Sequence, residues 1–218
     1  RSVCFAMGGH IIKTGMSPII IDLMKKNVFT LIAMNGAGII HDLETAMMGR
    51  TSEDVALSIG NGSFGMAKET SAFLNQAIKN AKTQSIGLGR AVGHMILKEN
   101  LEFKNLSLTA SGAALDIPVT VHVAIGTDII HMHPDFDAGA CGEASHYDFK
   151  WFSSNISNLE NGVFINAGSA VIMPEVFLKA VSLARNLGHR LDDFTTVNLD
   201  FIRHYRPMTN VVNRPDRK

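Results

Sequence analysis

Five apolar, strand-like runs of this chain each break, at their carboxyl end, into a short loop of small and polar residues. They are SVCFAM (2–7) into GGH, VFTLIAM (28–34) into NGAG, PVTVHVAI (118–125) into GTD, GVFIN (162–166) into AGSA, and FTTVN (194–198) into LD. Strands without a polar face belong in a parallel sheet covered on both sides, and the segments between them carry helical spacing. The expected fold class is therefore α/β: a mostly parallel sheet with helices on both faces. In such a sheet the loops line one edge, where helix amino ends offer unpaired N–H groups and ligands collect.

One domain is expected over residues 1–218. Ser17 before Pro18 predicts a capped helix, and residues 49–116 predict a helical insertion against the sheet edge, with Thr51 and Asp54 spaced like a capping box. The NGSFG turn at 61–65 is a surface turn of a kind that can fold over a ligand. The tail from Arg206 has no apolar period and predicts an extended arm. Arg1 directly before a core strand predicts that a further amino-terminal segment lies outside this sequence.

Charge narrows the partners. Acidic and basic residues number 20 each, and no basic run marks a nucleic-acid or anionic-membrane surface. No uninterrupted apolar stretch approaches a membrane span, which leaves a small-molecule substrate or a protein partner. Two cysteines without metal-type spacing suit a reducing, cytoplasmic setting.

The chemically loaded residues lie in the loops. In GGHIIKTG the glycines permit a tight strand-to-helix turn, and Lys13 either meets a phosphate or is solvated; Asn35, Gly36 and Gly38 allow close backbone approach. HMHPDFD brings His131 and His133 within one residue of each other, followed by Asp135 and Asp137 and preceded by Asp128. That pattern fits a divalent metal site, a His–carboxylate acid/base pair or a structural loop. His41 and Asp42 begin a helix at a strand end and are placed for a functional role. His122, inside an apolar strand, fits a satisfied core histidine better than a ligand. Cys141 suits either a small loop residue or a helix-start thiol of lowered pKa, and Glu175 a first-turn acid or an amine ligand.

The stretch GGHIIKTGMSPIIIDLMKKNVFTLIAMNGAGIIHDLE resembles the opening of the deoxyhypusine synthase family, and DIPVTVHVAIGTDIIHMHP resembles its later strand and acidic active-site loop. GVFINAGSAVIMPEVFLKA and DDFTTVNLDFIRHY follow in the family's order. The resemblance implies a Rossmann-like fold, bound NAD and a homotetramer with sites between subunits. By position it assigns Gly8, Gly9, His10, Ile11, Ile12, Lys13, Asn35, Gly36 and Ala37 to the cofactor and Asp128 to cofactor or polyamine. His41, His131 and His133 are then the candidate proton carriers. The family's imine-forming lysine loop has no counterpart here, and its paired histidines fall near Met173, Pro174 and Glu175. The expected activity is thus NAD-linked chemistry on a small amine or alcohol other than deoxyhypusine synthesis. The alternatives are a metal-dependent hydrolase using residues 131–137 and a non-catalytic ligand-binding or scaffold protein.

Overall fold

Four of the strands are almost wholly apolar and buried, and this fixes how they stack. The computed structural model describes residues 1–51 and 54–215. Its strands are β1 (Val3–Met7), β2 (Leu31–Asn35), β3 (Val119–His122), β4 (Val163–Ala167) and β5 (Thr195–Leu199). They form one sheet, parallel throughout, in the order β3-β2-β1-β4-β5. The strand order reverses between β1 and β4, so the carboxyl-edge loops of those two strands meet.

Strand alternation divides the core in two. Phe5, Met7, Ile32, Met34 and Val121 face helices α1 (His10–Lys13), α2 (Ser17–Lys25), α3 (Gly36–Met48), α5 (Lys68–Gln84), α6 (Leu88–Lys98) and α7 (Leu108–Leu115). Cys4, Ala6, Leu31, Ala33 and Phe164 face the other way, toward α8 (Ala138–Ile156) and α9 (Ile172–Asn186). A stack of Phe164 on Phe177, centroids 3.7 Å apart, anchors that second core. Helix α8 joins the two: Ala140, Cys141 and Ala144 belong to the first core, and Phe152 and Ile156 to the second.

β3 ends the sheet, so its outward backbone groups need partners other than a strand. Side chains of α8 supply them. Asp148 accepts from Val121 N at 2.9 Å, while Ser145 Oγ accepts from Val123 N at 3.0 Å and donates to Val121 O at 3.1 Å. The same Asp148 oxygen accepts from Gly89 N at 3.0 Å, tying the start of α6 to the strand. A Cβ on Gly89 would stand 1.9 Å from Val119 O, so only glycine lets α6 come this close. Asp42, fully buried in mid-α3, acts similarly on α7: it accepts from Leu108 N (2.6 Å), Thr109 N (3.1 Å) and the hydroxyls of Ser107 (2.7 Å) and Thr109 (2.6 Å).

Several expectations are corrected. Ser17 does not cap α2; it is the first helical residue, and its Oγ is buried without a partner among the described residues. Asp54, not Thr51, caps the short helix α4 (Val55–Ile59), accepting from Leu57 N at 3.2 Å. The tail through Pro215 is folded, with a turn α10 (Tyr205–Pro207) and a wider helical turn over Met208–Asn213. Val211 enters the second core, and Glu175 takes Arg206 and Asn210 at 2.6 and 2.9 Å. Glu175 also pairs with Lys179, the largest contribution holding its carboxyl down at about 2. It fastens the tail instead of awaiting an amine.

Two buried groups on neighbouring elements titrate in opposite senses. Burial pushes Asp148 from 3.8 up to about 7, against the backbone N–H groups that favour its charged form. Burial lowers His122 from 6.5 to about 3. Between about pH 4 and 7 only the folded state keeps the Asp148 proton, so stability falls with rising pH by up to about 1.4 kcal/mol per unit. Between about pH 3 and 6.5 only the unfolded state protonates His122, so stability rises with pH by a similar amount. The two slopes oppose each other from about pH 4 to 6.5. Urea unfolding of the D148N variant is expected to show stability lost on acidification below pH 6.5, and of H122Q the reverse slope, with the parent flatter than either.

Candidate active site

The loops after β1, β2 and β3 enclose a cavity of about 230 Å³ at the carboxyl edge. Lys13, Ala37, His41, Glu44, Phe64 and Asp128 contribute to its wall. Helix α3 supplies three of these from its first three turns. Asn35 caps it, its Oδ1 accepting from Gly38 N at 3.0 Å. Residues 37, 40, 41 and 44 then fall on one face by helical spacing, while Asp42 points into the core.

Among the described residues, His41 is held at one nitrogen. Its Nδ1 lies 2.6 Å from Thr51 Oγ1, and the Thr51 hydroxyl donates to Glu44 Oε2 at 2.5 Å. With its proton committed to Glu44, Thr51 accepts from His41 Nδ1–H, which leaves Nε2 as the ring's acceptor. The Cδ2 edge of the ring lies over Gly9, where a Cβ would come within 3.0 Å. Burial lowers the His41 pKa, opposed by Glu44 and aided by Lys13 and His10, so the imidazole is neutral at neutral pH.

Asp128 lines the same cavity from the β3 loop. Its Oδ2 lies so close to α3 that a Cβ on Gly36 would stand 1.9 Å away. The carboxylate therefore sits at the positive end of a thirteen-residue helix. That oxygen is buried and, among the described residues, has no hydrogen-bond partner. Burial raises the Asp128 pKa, opposed by His131 and Thr127.

His131 and His133 diverge instead of pointing together. His131 Nδ1 accepts from Gly126 N (3.1 Å) and Asp128 N (3.0 Å), shaping the loop that presents Asp128. His131 thus organises the loop from outside the cavity wall. His133 Nε2–H donates to Gly65 O at 3.0 Å and fastens the NGSFG turn against the same loop, which brings Phe64 into the wall. No group of three or more His, Cys, Asp and Glu side chains is placed to hold a metal ion among the described residues. Cys141 is buried and pushed up to about 11 by burial and by Asp128 and Asp137, the opposite of an activated thiol. Asp42, expected to share a functional role with His41, is a structural cap.

The residues assigned to a dinucleotide are largely taken up by the protein's own contacts. Gly8 is closed by protein: its N–H donates to Ala167 O at 3.0 Å, and a Cβ there would stand 2.2 Å from Gly168 O. Gly9 packs on Ala37 and His41, Ile12 is buried in the core, and His10 and Lys13 are exposed on a helix of only four residues. Ile11 lies beside Gly168. At α3 the place a phosphate would take is filled by Asp128. These residues do not make a pyrophosphate cradle in this arrangement, although Lys13, Ala37, His41 and Asp128 do share one cavity. The sequence marks Thr51 only as a capping-box residue and Glu44 not at all, since neither forms a motif with His41.

No protein-family model matches the sequence, and no curated protein matches it. Solved structures of similar shape exist. A conserved LOR/SDH protein from Methanococcus maripaludis is 17% identical, with TM-score 0.51 over 82% of this chain and 46% of its own. ArgZ, an arginine dihydrolase from the ornithine-ammonia cycle in cyanobacteria, is 15% identical, with TM-score 0.51 over 81% of this chain and 22% of its own. The chain thus spans less than half the length of either. A protein described as a deoxyhypusine synthase from Entamoeba histolytica reaches TM-score 0.47 at 11% identity, over 87% of this chain and 76% of its own, which is too distant to carry weight. At these identities the likeness shows the fold alone. The chain is a Rossmann-like α/β domain, and no helix among its described residues is long and apolar enough to cross a membrane.

The contacts at the two loop glycines predict unequal costs. In Gly8→Ala the new methyl meets backbone, the carbonyl of Gly168, whereas in Gly36→Ala it meets the end of the Asp128 side chain. G8A is expected to lose about 2–3 kcal/mol or more, as overpacking against fixed atoms does, and G36A about 1 kcal/mol as Asp128 swings away. Denaturant unfolding of both variants gives the comparison.

Proposed function

We propose that this domain binds a small alkylamine in the carboxyl-edge cavity and removes a proton from it at His41 Nε2. The observation that supports the reading best is that the Asp128 carboxyl and a neutral His41 imidazole line one cavity. A carboxylate attracts an ammonium group, and a neutral histidine accepts a proton near neutral pH. Glu44 adds negative charge to the same wall, and Lys13 lies at the rim, where it meets an anionic or hydroxyl end of the substrate. At about 230 Å³ the cavity lies below the roughly 300–1,000 Å³ typical of larger ligands, which favours a short molecule.

NAD enters this reading through the resemblance alone. Its pyrophosphate would need the Asp128 loop to leave α3, and no step is assigned to it. The metal-dependent alternative has no ligand set to support it among the described residues.

Thermal-shift and calorimetric titrations with 1,3-diaminopropane, spermidine and NAD separate the readings. A diamine at one hundred times its dissociation constant is expected to add about 2.7 kcal/mol of stability. D128N is expected to weaken that binding at least tenfold without unfolding the protein. Equal diamine binding by D128N, or NAD binding with no diamine effect, would overturn the assignment.

A further inference from the structure

The side chain of Thr51 follows α3 and turns back onto it, placing one hydroxyl between two residues of the same helix, His41 and Glu44. We propose that Thr51 and Glu44 are positioning residues that fix His41 as its Nδ1–H tautomer, with Nε2 turned to the ligand cavity. The inference rests on the proposed role of His41 and adds what makes the histidine a directed base.

Three observations carry it. The distances of 2.6 Å and 2.5 Å put both pairs in hydrogen-bond contact, at the short end of the range. His41 Nδ1 and Glu44 Oε2 are 3.9 Å apart, too far to bond directly, so the hydroxyl is the link between them. A hydroxyl has one proton, and a carboxylate only accepts; the proton of Thr51 therefore goes to Glu44 and its lone pair to His41. Direction is thus imposed on the chain Glu44, Thr51, His41, and a hydroxyl carries out the orienting task that a carboxylate usually performs on a catalytic histidine. Glu44 is 8% exposed at its side chain and His41 21%, so the charged end is shielded and the imidazole faces the cavity.

The proton balance is simple. His41 Nε2 uses its lone pair to take one proton from a bound ammonium, giving a free amine and an imidazolium. The Nδ1 proton stays in its bond to Thr51, and the new positive charge is offset by the Glu44 carboxylate through the hydroxyl. No proton passes to Glu44. The charged groups near His41 act in known directions: Glu44 raises its pKa, and Lys13 and His10 lower it.

The test reads the tautomer directly. In protein labelled with nitrogen-15 in its histidines, long-range proton–nitrogen correlation spectra report which ring nitrogen of His41 carries the proton, and a pH series gives its titration. The parent is expected to show Nδ1–H, and T51S to retain it. T51V, of nearly the same shape but without a hydroxyl, is expected to lose it, with Nε2–H becoming populated. E44Q is expected to shift the His41 titration further down, since the group that raises it has lost its charge. Backbone spectra of T51S and E44Q establish that the fold is kept, should T51V fail to fold. Nε2–H in the parent, or an unchanged Nδ1–H in T51V, would overturn the proposal. The spectra need no ligand, so a parent that shows the stated tautomer but ignores 1,3-diaminopropane would support the relay and sink the substrate assignment instead.

Discussion

A carboxylate from one segment seated at the amino end of another element's helix is the contact on which the architecture depends. Asp42 of α3 holds the start of α7, Asp148 of α8 holds the start of α6, and Asp128 of the β3 loop lies against the start of α3. Each sits at the positive end of a helix dipole, and Asp42 and Asp148 also accept from the helix's first N–H groups, so a buried charge is placed where the surroundings favour it. Burial nevertheless opposes all three charges and raises each pKa. Two of the three are fully satisfied by hydrogen bonds and serve the fold. Asp128 is the exception, because one of its oxygens, packed against Gly36, has no donor among the described residues. The same structural device that closes the helical layer thus also brings a carboxyl to the wall of the cavity.

Helix α3 is where fold and site meet. Asn35 starts it, Gly36 gives Asp128 room, His41 and Glu44 face the cavity, and Asp42, adjacent to His41 in sequence, points the opposite way to fasten α7. Neighbouring residues on a helix diverge by about 100°, so adjacency in sequence separates the roles of His41 and Asp42. The histidine is then free to be positioned by residues three and ten places further on.

The sheet was legible because strands buried on both faces leave an unbroken apolar signature ending in small residues. The convergence of Lys13, Ala37, His41 and Asp128 on one edge followed from the same pattern, since consecutive parallel strands present their loops together. What stayed hidden depends on side-chain direction. Nothing in the spacing of His131 and His133 shows that one nitrogen would accept two backbone N–H groups while the other ring turned to Gly65. Ile12 follows two loop glycines yet belongs to the core, because its four-residue helix turns one side inward. Asp148 belongs to no motif, and its role arises because β3 ends the sheet and needs a partner. Thr51 and Glu44 lie seven residues apart across a helix end, a separation that no local pattern marks.

The claim at the centre of this account is that the carboxyl edge, as folded, selects a small cation at α3 over a dinucleotide at the β1 turn. Backbone amide chemical-shift mapping, with 1,3-diaminopropane and NAD added separately, tests it most directly. The account predicts that the diamine perturbs Gly36, Ala37, His41 and Asp128, while NAD leaves Gly8, Gly9, Gly168 and Ser169 unmoved. Saturable NAD shifts centred on those four residues, with no response of α3 to the diamine, would contradict it.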